Sequence, residues 1–136
     1  MQDHLPSITP AAITLSWCLG WTSILAGFVS GALIGLAFHR EDFWGGYGSL
    51  RRRMARLGHI AFVALGILNL LYALSPTLGL GPRWPELGST SLAVGTLAMP
   101  LVCFLTAWRP GFRHLFFVPV IALAIGALTA LLGGLS

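Results

Sequence analysis

The sequence predicts an all-α integral membrane protein, a four-helix up-down-up-down transmembrane bundle with both termini extracytoplasmic. Charged residues make up 9% of the 136 residues, against roughly 25% in soluble domains, and so few charges could not cover a soluble surface. Four apolar runs are each long enough to cross a hydrocarbon core of ~30 Å. Seven of the eight arginines fall on one side of this topology, which the positive-inside rule makes cytoplasmic. We therefore expect one membrane domain covering residues 1–136.

The first span is expected over residues 11–38. Thr9 suits an N-cap, and Pro10 suits the first helical position, because a backbone N–H there would have no acceptor within the helix. Small residues at four-residue spacing let another helix approach closely, and such packing drives association in lipid. They form a glycine zipper that predicts a helix-packing face: Gly27, Gly31 and Gly35.

A charged and aromatic loop follows, and Ser49 is a suitable cap for a second span over residues 50–75. Arg52, Arg56 and His59 share one face of this helix at helical spacing. An amphipathic helix start of this kind directs its polar stripe toward head groups or a polar partner. The residues expected to contact anionic lipid or a partner protein are Arg51, Arg52, Arg53, Arg56 and Arg113.

The third and fourth spans are expected over residues 90–108 and 112–132, joined by a tight turn at residues 109–111. The short connection predicts an antiparallel helical hairpin. Gly126 belongs to a second row of small residues with Ala122 and Ala130. We expect this row to pack against the glycines of the first span.

The predicted topology brings three histidines to the cytoplasmic membrane face: His39, His59 and His114. Three interpretations are open for them. They are ordinary interfacial residues, or ligands of a haem b iron, or hydrogen-bonding partners of a quinone or lipid. His59 lies deepest and is the first candidate for cofactor binding, although no cofactor is required by the sequence.

Asn69 is the one strongly polar side chain expected near the middle of the membrane. Such residues usually face protein. Its expected partner is Thr96, whose carbonyl Pro100 leaves without a donor. No acid lies within any predicted span, which argues against an ion-coupled carrier.

The sequence predicts no catalytic residue and no metal site. It contains no paired carboxylates, no nucleophile with a base and no phosphate-binding loop. Cys18 and Cys103 lie in apolar runs without metal-ligand spacing. We expect no nucleic-acid partner, because the basic residues lie between apolar runs rather than on a solvated face, which favours anionic lipid head groups as their contact.

In size and four-span layout the chain resembles the small membrane-anchor and accessory subunits of respiratory complexes. The resemblance implies a non-catalytic subunit of an electron-transferring complex in the bacterial cytoplasmic (inner) membrane, with lipids and other transmembrane subunits as partners. Haem-bearing anchors place two histidines within the membrane, whereas every histidine here lies at a helix end or in the N-terminal tail. The alternatives are a b-type haem or quinone-binding protein and a small oligomeric transporter or channel.

Overall fold

The computed structural model describes residues 9–135, and within them it contains helices and no strand. The main helices are α1 (Pro10–Phe38), α2 (Leu50–Leu74), α3 (Pro85–Trp108) and α4 (Phe117–Gly134). Short 3₁₀ helices connect them at Phe43–Gly45, Ser75–Leu78 and Pro110–Phe116. Counting the adjoining 3₁₀ turns, the described chain has four helices long and apolar enough to cross a membrane. This confirms the predicted all-α class; the terminal residues 1–8 and 136, His4 among them, lie outside the described part.

The helix boundaries follow from prolines and one cap. Ser49 caps α2, since its hydroxyl accepts a hydrogen bond of 3.2 Å from the N–H of Arg52. Pro85 lies in the first turn of α3, which begins there rather than at residue 90. α4 begins at Phe117 rather than at residue 112, because Pro119 has no N–H to donate to a preceding carbonyl and the chain before it winds as a 3₁₀ helix.

Each helix packs mainly on its neighbours in sequence, and α1 also makes a smaller contact with α3. A Cβ on Gly20 would meet Leu70, and one on Gly27 would meet Val63. Later residues of α1 therefore contact earlier residues of α2, so the two helices run in opposite directions.

The small residues of α4 pack on α3. A Cβ on Gly126 would lie 2.6 Å from the side chain of Leu92. Gly126 thus contacts α3 and not, as expected, the glycines of α1. Gly31 lies against His59 of α2, whereas a Cβ on Gly35 would meet nothing within 4 Å in the described chain.

The interior is built from small side chains. The buried residues of α1 are Ala12, Ser16, Gly20, Ser23 and Gly27. Small side chains allow helix backbones to approach, which is how helices associate where lipid is as apolar as leucine. In the most apolar stretch of each helix, 44% of the residues are buried in α3, compared with 11% in α1 and 17% in α4. Accordingly, α3 is central, while α1 and α4 leave most of their surface uncovered.

Candidate functional site beneath the α1–α2 loop

One buried arginine holds the loop between α1 and α2. Arg52 is only 3% exposed, and its Nε donates to the carbonyl of Phe43 at 2.6 Å. Its Nη2 donates to the carbonyls of Arg40 and Glu41. The guanidinium also lies 4.7 Å from the centre of the Phe38 ring. These carbonyls follow the C-terminus of α1, the negative end of the helix dipole, and a planar group with five N–H donors suits them.

Arg56 and His59 bind backbone in the same way. Arg56 donates to the carbonyl of Tyr47 at 3.2 Å and lies over its ring. Nδ1 of His59 lies 2.8 Å from the carbonyl oxygen of Gly27. A carbonyl oxygen only accepts, so Nδ1 carries the proton, and in the neutral ring Nε2 is the unprotonated nitrogen. The hydroxyl of Ser30 donates to the same carbonyl at 3.0 Å.

The basic stripe of Arg52, Arg56 and His59 therefore fastens α2 to the helix and loop that precede it. The sequence placed these three residues on one face, which we expected to meet head groups or a partner. In the structure each of them is bound to a backbone carbonyl of its own chain. The stripe is thus a structural clasp between α1, the loop and α2.

The remaining candidate residues are exposed. Within residues 9–135 their side chains form no hydrogen bond or ion pair: Arg51, Arg53, Arg113, His39 and His114. No group of three histidines, cysteines or acids able to hold a metal occurs among the described residues. The structure therefore does not gather the three candidate histidines around one centre, and it leaves three arginines free to meet an external anion.

Three aromatic rings cover the loop end of the bundle. Phe43 and Trp44 stack with their centroids 5.0 Å apart, and Phe38 contacts both. Trp44 has φ 56° and ψ 31°, a left-handed conformation that is unfavourable for a bulky residue. Gly45 and Gly46 follow with φ 85° and 83°, which glycine adopts without penalty. We call Phe38, Phe43 and Trp44 the aromatic roof.

An apolar pocket of about 180 Å³ lies beneath the aromatic roof. Its wall is entirely apolar and combines α1, the loop, α2 and α3. Ala37, Ala55 and Phe104 contribute to it besides the aromatic roof. The pocket joins four separate segments of the chain, so it exists only in the folded protein.

Asn69 forms the polar centre of the bundle. It is fully buried, and its Nδ2 donates to the hydroxyl of Thr96 at 2.7 Å and to the carbonyl of Leu65 at 2.9 Å. The predicted interhelical bond to Thr96 is confirmed, with the hydroxyl rather than the carbonyl as acceptor. Oδ1 of Asn69 has no partner in the described residues, and neither do the buried hydroxyls of Ser16 and Thr106.

Sequence reasoning missed the burial of Arg52 and the pocket. No signal singled out Arg52, because Arg51 and Arg53 adjoin it in the sequence, although the small residues Ala55 and Gly58 continue its buried face at three-residue spacing. The pocket gave no signal, since its wall comes from residues far apart in sequence. Comparisons with protein-family models, with curated proteins and with solved structures found no match to this chain.

Proposed function

We propose that this protein is an accessory subunit of a larger membrane complex. The observation that supports the proposal is the uncovered apolar face of α1. Phe28, Val29 and Leu36 are 64%, 62% and 79% exposed and lie on the same side of α1 as Gly35, where an added Cβ would meet nothing within 4 Å in the described chain. Large side chains flanking a glycine notch form a surface that a second transmembrane helix can approach closely.

The polar residues support the same role. The side chains that most resemble functional groups, those of the basic stripe, are engaged with the chain's own backbone. These side chains therefore stabilise the fold of the chain itself. That is the property required of a subunit that positions others, and we propose that it is not itself the catalyst.

For the topology, we propose an up-down-up-down bundle with both termini extracytoplasmic, in a bacterial cytoplasmic membrane. Later residues of α1 contact earlier residues of α2, which supports successive helices that run in opposite directions. The arginine distribution supports the sidedness, with Arg83 alone on the side of the termini. The resemblance in size and layout to respiratory anchor subunits makes an electron-transferring complex the first kind to test.

Copurification from native membranes, with mass-spectrometric identification of the partners, tests the proposal. We expect other transmembrane subunits to copurify with the wild type and to be lost with Gly35→Leu. Ala64→Leu, which enlarges an exposed residue of α2, is the matched control and should retain them. Recovery of the chain alone, under conditions that preserve known complexes, would contradict membership of a complex. A Soret band in the preparation would instead favour the haem-binding alternative, with Nε2 of His59 as the available nitrogen.

A further inference from the structure

We propose that the pocket beneath the aromatic roof binds one acyl chain of an anionic phospholipid, whose phosphate is held by Arg51. This site lies within the isolated chain, so the inference does not depend on membership of a complex. It assigns a specific ligand to a cavity and to one of the free arginines.

The wall of the pocket selects for a hydrocarbon chain. Its lining is entirely apolar over a volume of about 180 Å³. The pocket is open on one side, and Leu33 in its wall is 63% exposed, so a hydrocarbon chain can lie along it from the lipid. A quinone ring would bring two carbonyl oxygens to a wall that has no hydrogen-bond donor for them. An acyl chain has no polar atom that would be left without a hydrogen-bond partner there.

The aromatic roof is held in place before any ligand arrives. Arg52 binds three successive parts of the loop through the carbonyls of Arg40, Glu41 and Phe43. Trp44 keeps its left-handed backbone conformation while its ring lines the pocket. Unfavourable backbone conformations of this kind concentrate at ligand clamps and persist only where the surroundings impose them. The pocket is therefore preformed, which reduces the entropy lost on binding.

The charge of the chain segment that contributes Phe43, Trp44 and Ala55 to the pocket favours an anion. Residues 39–56 contain five arginines and two acids. Arg51 precedes Ala55, a pocket residue, by four positions, so the two lie on one face of α2. Helical side chains lean toward the N-terminus, which carries the guanidinium of Arg51 away from the hydrocarbon and toward the head groups. Arg51 is exposed and has no partner in the described chain.

Arg53 provides a matched control. It is also exposed and free, but two residues of helix turn it to the other side of α2 from Arg51. Native mass spectrometry of the full chain in mild detergent would follow binding of phosphatidylglycerol and of phosphatidylcholine with identical acyl chains. We expect one tightly bound phosphatidylglycerol. Arg51→Gln should weaken it about fivefold, as expected for one arginine beside an anionic lipid, while Arg53→Gln should change it less than about twofold.

The pocket itself is tested by filling it. Ala37→Leu should abolish tight binding of phosphatidylglycerol without lowering the melting temperature. Brominated acyl chains quench tryptophan fluorescence on contact. Brominated phosphatidylglycerol should therefore quench the fluorescence of the wild type by a larger fraction than that of Trp44→Phe. This measurement does not depend on the pocket-filling variant. Equal weakening by Arg51→Gln and Arg53→Gln, equal binding of the two lipids, or quenching that does not depend on Trp44 would each overturn the proposal.

Discussion

At the scale of single residues, Arg52 shows how a charge is accommodated in an apolar interior. A buried charge is unfavourable unless its hydrogen-bonding capacity is met. The last carbonyls of a helix and the loop after it need donors. Arg52 meets both requirements at once, because its donors reach carbonyls that follow α1. The side chain is thus an anchor for the loop rather than a contact for lipid.

Replacing Arg52 should release the loop. We expect Arg52→Lys to lower the free energy of unfolding by about 2–3 kcal/mol, since a lysine cannot span several carbonyls and hydrogen bonds to charged groups contribute about 1.5–3 kcal/mol each. Thermal unfolding in detergent measures the loss, and faster proteolysis within residues 40–48 locates it. Arg53→Lys should change stability by less than about 0.5 kcal/mol. Equal stability of the two variants would show that the carbonyl contacts of Arg52 contribute little.

Asn69 and Thr96 offer a measurable pair at mid-bundle. Interhelical hydrogen bonds in membranes contribute about 0.6 kcal/mol on average. A double-mutant cycle of Asn69→Leu and Thr96→Val should therefore give a coupling free energy near that value. Leu92→Ala and Thr96→Val, which share no hydrogen bond, form the control cycle. A coupling indistinguishable from zero would mean that the 2.7 Å contact contributes nothing to the folded state.

The residue scale also shows what sequence can predict. Asn69 could be matched with Thr96 because each is polar in an apolar surrounding, but the carbonyl that Pro100 leaves without a donor is not the acceptor. Arg52 could not be told from its neighbours, since three consecutive arginines look alike in a string. Only the loop folding back over α2 decides which of them is buried. That return depends on Trp44 and two glycines with positive φ.

At the scale of elements, small residues decide how α1 meets α2. The two backbones come close together at Gly20 and Gly66, where a Cβ on Gly66 would lie 2.7 Å from the Gly20 carbonyl oxygen. The row Gly27, Gly31 and Gly35 was predicted from its regular spacing. Gly27 and Gly31 do face α2, but Gly35 meets nothing in the described chain, and the buried face extends from Gly27 toward the start of the helix through Ser23 and Gly20. Serine and alanine serve there as well as glycine, so a search for glycines alone finds only part of the contact.

Gly31 and Gly35 make a matched pair for this contact. A Cβ on Gly31 would lie 2.5 Å from the imidazole of His59, whereas one on Gly35 would meet nothing within 4 Å among the described residues. Gly31→Leu should displace His59 from the Gly27 carbonyl and destabilise the protein by about 1–3 kcal/mol, the usual effect of overpacking. Gly35→Leu should leave stability nearly unchanged. Melting temperatures in detergent compare them, and equal values would contradict the assigned contact.

At the scale of the whole molecule, hydropathy and charge were sufficient to predict four membrane-length helices, because each requirement concerns one helix at a time. The packing of Gly126 on Leu92 concerns two helices and was not predictable from small-residue spacing. The short segment from Trp108 to Phe117 explains it afterwards. Helices joined by few residues lie side by side. The short connection therefore places α4 next to α3 and not next to α1.

The arrangement of charge makes the sidedness of the whole molecule testable. Arg40, the arginines at the start of α2 and those at residues 109 and 113 lie in the two connections that an alternating bundle places together. Short basic loops are retained in the cytoplasm. A reporter that is active only in the cytoplasm should therefore be active when fused after Gly48 and inactive when fused after Ser136. An extracytoplasmic reporter should give the opposite pattern.

Replacing Arg51, Arg53, Arg109 and Arg113 by glutamine should reduce the difference in reporter activity between the two fusions, whereas Arg83→Gln should increase it, because orientation follows the imbalance of arginines between the two sides. A cytoplasmic C-terminus in the wild type would reverse the proposed topology and place the lipid site in the opposite leaflet.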